Sequence, residues 1–272
     1  MAKLTGQGVQ LSLPRRFICD LLHASRNVPV ITFERRIEVS PILAVREQMD
    51  RPPAWSLILA KAFAVVAAGR PELRRTYLPL PWPRMWEADE SVASIAFERD
   101  FRGEPAVFFG RLAAPERRSL AEMAARLHEW KTRPLGDLRD CRRLLRYARL
   151  PLIARRFLWW CGTAWCGKAK AKNFGTFGVS LTGTGNATAL NLLSPLTTTI
   201  NTGMIQPDGS LDVRLHFDHR VLDGMPAARA LEEFEEVLRT AIVAELEEMT
   251  SAPSTLRLAA RRPIPEISGR IL

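Results

Sequence analysis

Apolar residues recur at helical spacing in residues 15–27, RRFICDLLHASRN, where Phe17, Ile18, Leu21 and Leu22 fall on one side and predict a first helix. The pattern then changes to period two. In VPVITFERRIEV, Ile31, Phe33, Ile37 and Val39 mark a strand with one buried face, after which Ser40 suits an N-cap and Pro41 the first position of a helix through ILAVREQM. AWSLILAKAFAVVAAGR predicts a more apolar helix that Gly69 ends and Pro71 keeps from continuing. LPLPWPRMW is too rich in proline for anything but loop or extended edge, while SVASIAFER and EPAVFFGRL read as strands flanking a turn at Arg102 and Gly103. Leu120, Met123, Ala124 and Leu127 return to helical spacing behind Ser119. FGTFGVSL, LTTTINTGMI and LDVRLHF predict three more strands, the last two joined by the turn QPDGS. A long helix from about Pro226 to Met249 follows, with Ala230, Phe234, Val237, Leu238 and Ala241 as its apolar stripe.

Strands and helices are thus interspersed, without an internal repeat, and a mixed α and β class follows. One domain over residues 1–250 is expected, with a basic amphipathic insert at about 136–172 and a poorly ordered proline- and arginine-rich tail over 251–272. Within the insert, Pro151 divides two short helices, and Leu152, Phe157, Leu158, Trp159 and Trp160 offer an apolar surface. Two readings stand: aromatics packed on the core, or an element that docks on an anionic membrane or an acyl carrier.

Composition narrows the class. The 272 residues are 47% apolar and 25% charged, ordinary for a soluble globular protein. The first residues lack the apolar core of a secretory signal, and no run of about 18 apolar residues occurs, so a cytoplasmic location is expected. Cys19, Cys141, Cys161 and Cys166 are too few and scattered for a disulfide framework, and CGTAWC lacks the second ligand pair of a zinc site; no metal is expected. The net charge of +10 is local: residues 138–172 hold ten Lys and Arg against one Asp. Such a patch suits an anionic ligand, a phospholipid surface or an acidic partner, and no nucleic-acid motif accompanies it.

The chemistry concentrates in VRLHFDHRVLDGMPAARALEEFEEVL, residues 213–238. His219 follows a strand, where a sheet holds the backbone firmly, and its imidazole accepts a proton near neutral pH as a thiol or hydroxyl nucleophile requires. Asp223 and Gly224 turn the chain into the helix. His216 shares a strand face with Arg214, opposite Val213, Leu215 and Phe217, and either lines a site or is a satisfied structural histidine.

FDHRVLDG followed by an alanine-rich helix resembles the catalytic domain of the dihydrolipoyl acyltransferases of 2-oxoacid dehydrogenase complexes, which shares its fold with chloramphenicol acetyltransferase. The opening helix, strand and helix, GRPELRRTY, SLAEMAARLHEW and FGTFGVSLTG are similar to further segments of that domain. The resemblance implies an α+β two-layer sandwich, a mixed β-sheet with helices packed on one face. It implies that His219 is the general base, Asp223 stabilises the turn, and the Ser180 hydroxyl meets the tetrahedral oxyanion, with Thr182 as the nearest substitute. Arg16, or Arg15 in the adjoining register, would pair with the aspartate. It further implies a homotrimer, or a higher assembly of trimers, in which histidine and serine come from neighbouring subunits and coenzyme A enters at the interface. The chain carries no lipoyl-like segment, so a stand-alone enzyme without covalent lipoyl group is expected, using CoA or acyl-CoA as substrate. SLTGTGN departs from the family's Ser-Asn-Leu-Gly. Two function classes follow: transfer of an acyl group from a thioester to a thiol or hydroxyl, or a non-catalytic trimeric scaffold.

Overall fold

A computed structural model describes residues 6–181 and 188–251; Thr182, most of SLTGTGN and all but the first residue of the expected tail lie outside them. Helix α1 (Leu13–Ser25), capped by the Ser12 hydroxyl, leads into β1 (Val30–Glu38), α2 (Ser40–Glu47) and the apolar α3 (Trp55–Gly69). Ser40 is the first helical residue, one place later than a cap, and Val39 occupies the cap position instead. The proline-rich stretch becomes the link of a small hairpin, β2 (Arg75–Leu78) and β3 (Arg84–Glu87).

β4 (Val92–Phe101) and β5 (Glu104–Ala113) form the anticipated hairpin with only Arg102 and Gly103 between them, at φ 60 and 82. Positive φ at both positions gives the turn whose twist matches that of the strands, and Gly103 adopts it without a Cβ penalty. α4 (Leu120–Thr132) begins with a full capping box between Ser119 and Glu122. Pro151 divides α5 (Arg139–Ala148) from α6 (Leu152–Ala164) as the sequence suggests. A further short helix, α7 (Gly167–Phe174), was not legible, because alternating Lys and Ala give it no clear apolar stripe. β6 (Phe177–Leu181), β7 (Thr198–Ile205), β8 (Ser210–Asp218), α8 (Gly224–Val237), a π-helical turn at Leu238–Ile242 and α9 (Val243–Ser251) complete the described chain.

The main sheet has the order β1-β8-β7-β6-β4-β5, with parallel pairing at β7-β6 and β6-β4 and antiparallel pairing elsewhere. Strand alternation sends Ile95, Phe97, Phe177, Val179, Ile200, Val213, Leu215 and Phe217 into the core, where α3, α4 and α8 pack. Phe63 of α3 meets Phe177 at 4.9 Å and Phe234 of α8 at 6.4 Å between ring centroids, which fixes the helical layer on the sheet. This is the expected α+β sandwich. In addition, α1, α5 and α7 touch β5 or β4, and α6 rests on α1 and α7, so these four gather over the opposite face of the sheet toward its β4-β5 end, beyond the single helical face expected. No helix among the described residues is long and apolar enough to cross a membrane.

Candidate functional site

His219 leaves the end of β8 held on several sides. Its N–H donates to the Pro29 carbonyl at 3.0 Å, and the N–H groups of Val221 and Leu222 donate back to the Asp218 carbonyl at 2.9 and 3.1 Å. The imidazole Nδ1 lies 3.0 Å from the Leu222 carbonyl oxygen, which only accepts, so Nδ1 carries the hydrogen. Nε2 is left with its lone pair, and the side chain is 47% exposed. Asp223, at the N-cap of α8, places Oδ1 3.7 Å from the same Nδ1.

The loop is anchored by neighbours of the motif. Asp218, buried, accepts from the Arg220 backbone N–H at 3.0 Å and from its guanidinium through both carboxylate oxygens at 2.9 and 2.7 Å. That guanidinium lies 4.4 Å from the Tyr77 ring centroid, a cation–π contact supplied by the small hairpin. Lys170 of α7 is buried nearby; burial pulls its pKa down to about 8, against the Asp218 charge that raises it.

Ser180 sits elsewhere. On β6 it pairs with Asn201, which pairs with Arg214 of β8, so it is level with a residue five places before His219 and two strands away. At about 3.3 Å per residue and 4.8 Å per strand, the two side chains are roughly 20 Å apart in one protomer. Ser180 opens into a cavity of about 880 Å³ between the sheet face opposite the core and α1, α5 and α6. Phe17, Leu21, Leu144, Leu158 and Trp159 form much of its wall, with Ser94 and Thr199 beside Ser180 on the sheet.

No family model matches the sequence, and no curated protein sequence is similar to it. Solved structures do match. The dihydrolipoamide acetyltransferase of Azotobacter vinelandii, in which a serine, a histidine and an asparagine were probed for their catalytic role, superposes with a TM-score of 0.62 at 20% identity over 89% of this chain and 94% of that one. A truncated catalytic core of the 2-oxoacid dehydrogenase multienzyme complex from Thermoplasma acidophilum gives 0.62 at 16% identity over 86% and 99%. The cubic core of a pyruvate dehydrogenase complex gives 0.57 at 18% identity over 89% and 95%. The chain has the fold of a 2-oxoacid dehydrogenase acyltransferase core.

Within this acyltransferase-core fold one expectation needs correction, and one open alternative, at His216, takes its structural form. Arg16 does not pair with Asp223: its Nε donates to the Leu11 carbonyl at 3.2 Å, whereas the Asp223 side chain is 84% exposed. The end of α1 that adjoins His219, through Pro29, is the C-terminal one, and Arg16 lies nine residues before Ser25, about 14 Å up the helix. Arg15 instead reaches Glu104 at 4.0 Å and lines the cavity. His216 does not line the cavity. It is buried, with Nδ1 2.8 Å from the Thr32 hydroxyl, and burial followed by the Arg214 charge lowers its pKa to about 4.

The anchors Asp218, Arg220, Tyr77 and Lys170 escaped sequence reasoning. Asp218 and Arg220 flank His219 in the motif, a hint that the histidine itself overshadowed; nothing local marks Tyr77 or Lys170.

Proposed function

We propose that the protein is an acyltransferase that moves an acyl group from a thioester to a thiol or hydroxyl, with His219 of one protomer and Ser180 of its neighbour forming each site of a trimer. The observation that carries this reading is the presentation of His219: a backbone carbonyl holds Nδ1–H, which leaves Nε2 its lone pair on a half-exposed side chain of an acyltransferase-core fold. The serine, about 20 Å away in the same chain by strand geometry, requires a second protomer. The A. vinelandii histidine and asparagine are four residues apart, as are His219 and Asp223 here.

Nε2 takes the proton of the attacking S–H or O–H as that atom bonds to the thioester carbonyl carbon. The electron pair moves to the carbonyl oxygen, where the Ser180 hydroxyl donates a hydrogen bond, a contribution of about 3 kcal/mol. Collapse re-forms C=O, breaks the donor C–S bond, and returns the proton from His219 to the leaving sulfur. Coenzyme A suits the donor side, because Arg143 and Arg146 at the cavity rim have no ion-pair partner among the described residues. A fit to phosphate follows from that unneutralised charge.

The test is subunit complementation. His219→Ala and Ser180→Ala homotrimers should each lose about a hundredfold or more in kcat for acetyl transfer from acetyl-CoA to a small thiol. Mixed trimers should regain activity, since some interfaces then hold an intact pair. A His219→Ala protein as fast as the parent would leave the scaffold role instead.

A peripheral membrane contact is favoured by one feature. Ile153, Phe157 and Trp160 share an α6 face and are 85, 59 and 48% exposed, and Arg142, Arg149 and Lys168, on the segments before and after α6, are exposed too. Co-flotation with phosphatidylserine vesicles at low salt, lost in Ile153→Asp, checks it.

A further inference from the structure

We propose that the cavity beside Ser180 holds an aliphatic chain of about twelve to sixteen carbons, so that the group transferred is a long-chain acyl. This rests on the acyltransferase reading and names its substrate class.

Size is the first ground. A methylene fills about the volume of a water molecule, roughly 30 Å³, so fourteen carbons occupy about half of the 880 Å³ and an acetyl group less than a tenth. Walls of Phe17, Leu21, Leu144, Leu158 and Trp159 favour filling that space with hydrocarbon over water. Polarity is the second. On the sheet wall the polar side chains are Ser94, Ser180, Thr199 and Arg111, and the Arg111 charge is met by Asp140, so the Ser180 hydroxyl is the donor offered to the carbonyl end of a chain whose tail lies against Phe17, Leu21, Leu158 and Trp159.

The third ground is the wall itself. α6 is tied to α1 by Asp20, whose carboxylate is 2.8 Å from Arg155 Nε, so the space is bounded by an anchored helix. At Gly162 this helix presents no side chain to the cavity, although glycine inside a helix is unfavourable relative to alanine. A Cβ there would meet only the Phe174 ring, at 3.5 Å, and longer side chains would take up the space. Leu150 and Leu158, lining the cavity yet 37 and 47% exposed, offer the chain an apolar entrance.

The experiment measures binding of saturated fatty acids of two to sixteen carbons, below their micellar concentrations, to the full chain by calorimetry, together with acetyl-CoA and tetradecanoyl-CoA. Affinity should rise about fourfold per methylene until the chain fills the cavity. Gly162→Leu, and Ala96→Leu from the sheet wall, should each weaken tetradecanoate at least tenfold, with thermal melting confirming the fold. Affinity independent of chain length, or unchanged in both variants, overturns the proposal. Acetyl transfer without chain binding would sink the proposal and spare the acyltransferase reading. Chain binding in a protein whose transfer does not need His219 would do the reverse.

Discussion

Replacing Asp20 by Asn should destabilise the protein by about 3 kcal/mol, because it strips the counter-charge from a buried guanidinium. The Asp20 side chain is fully buried; its Oδ2 is 2.8 Å from Arg155 Nε and its Oδ1 3.4 Å from Arg156 Nε. Arg155 is 8% exposed and cannot turn to water, whereas Arg156, at 30%, can. Removing one partner of a buried pair costs about 3–5 kcal/mol. The lower end applies, since the Arg155 Nε–H does not point squarely at the carboxylate and Nη1 has a second acceptor in the Ala148 carbonyl at 3.3 Å. In urea, with a slope of about 3 kcal/mol/M, the unfolding midpoint should fall by roughly 1 M. Removing both charges in Asp20→Leu with Arg155→Met should restore the midpoint to within about 1 kcal/mol of the parent, because well-packed apolar side chains replace such a pair without loss. A single variant within about 0.5 kcal/mol of the parent, or a double variant as unstable as the single, would refute the assignment.

Three further outcomes are expected. His216 is neutral in the fold with its pKa near 4 against 6.5 ordinarily, so the unfolded chain binds more protons between those values and stability falls as pH drops through this window; urea titrations at pH 7 and 4.5 should show about 2–3 kcal/mol less loss for His216→Gln than for the parent. Lys170, with its pKa near 8 against 10.5, makes the opposite end pH-sensitive: the unfolded chain binds its proton more tightly, so this group's contribution improves from pH 8 to 10.5. Lys170→Met should therefore gain on the parent at pH 7 and lose that advantage, up to about 3 kcal/mol, by pH 10.5, as paired thermal melts would reveal. Gly110→Ala should cost about 1–3 kcal/mol by overpacking, since the new Cβ would lie 2.4 Å from the Trp130 ring, which is buried and stacked on Phe97; circular-dichroism melts measure this.

By itself the sequence determined whatever depends on neighbours along the chain. Period-two alternation placed β1, β4, β5, β7 and β8; the 3.6-residue period and proline placed α3, α4 and the break at Pro151; and Arg102-Gly103 marked its hairpin, since backbone sterics act over a few residues. It also put His219 at a strand end and Ser180 on a strand. Tertiary structure alone decided how these groups stand to one another. Strand order separates Ser180 from His219, and the direction of α1 carries Arg16 away from Asp223 while giving Asp20 to Arg155. The cavity owes its walls to segments more than a hundred residues apart, Phe17 on α1 and Leu144 and Leu158 on α5 and α6, and Lys170 is buried by partners from other elements. Such contacts form only after loops have closed and layers have packed, and local periodicity carries no record of which distant faces will meet.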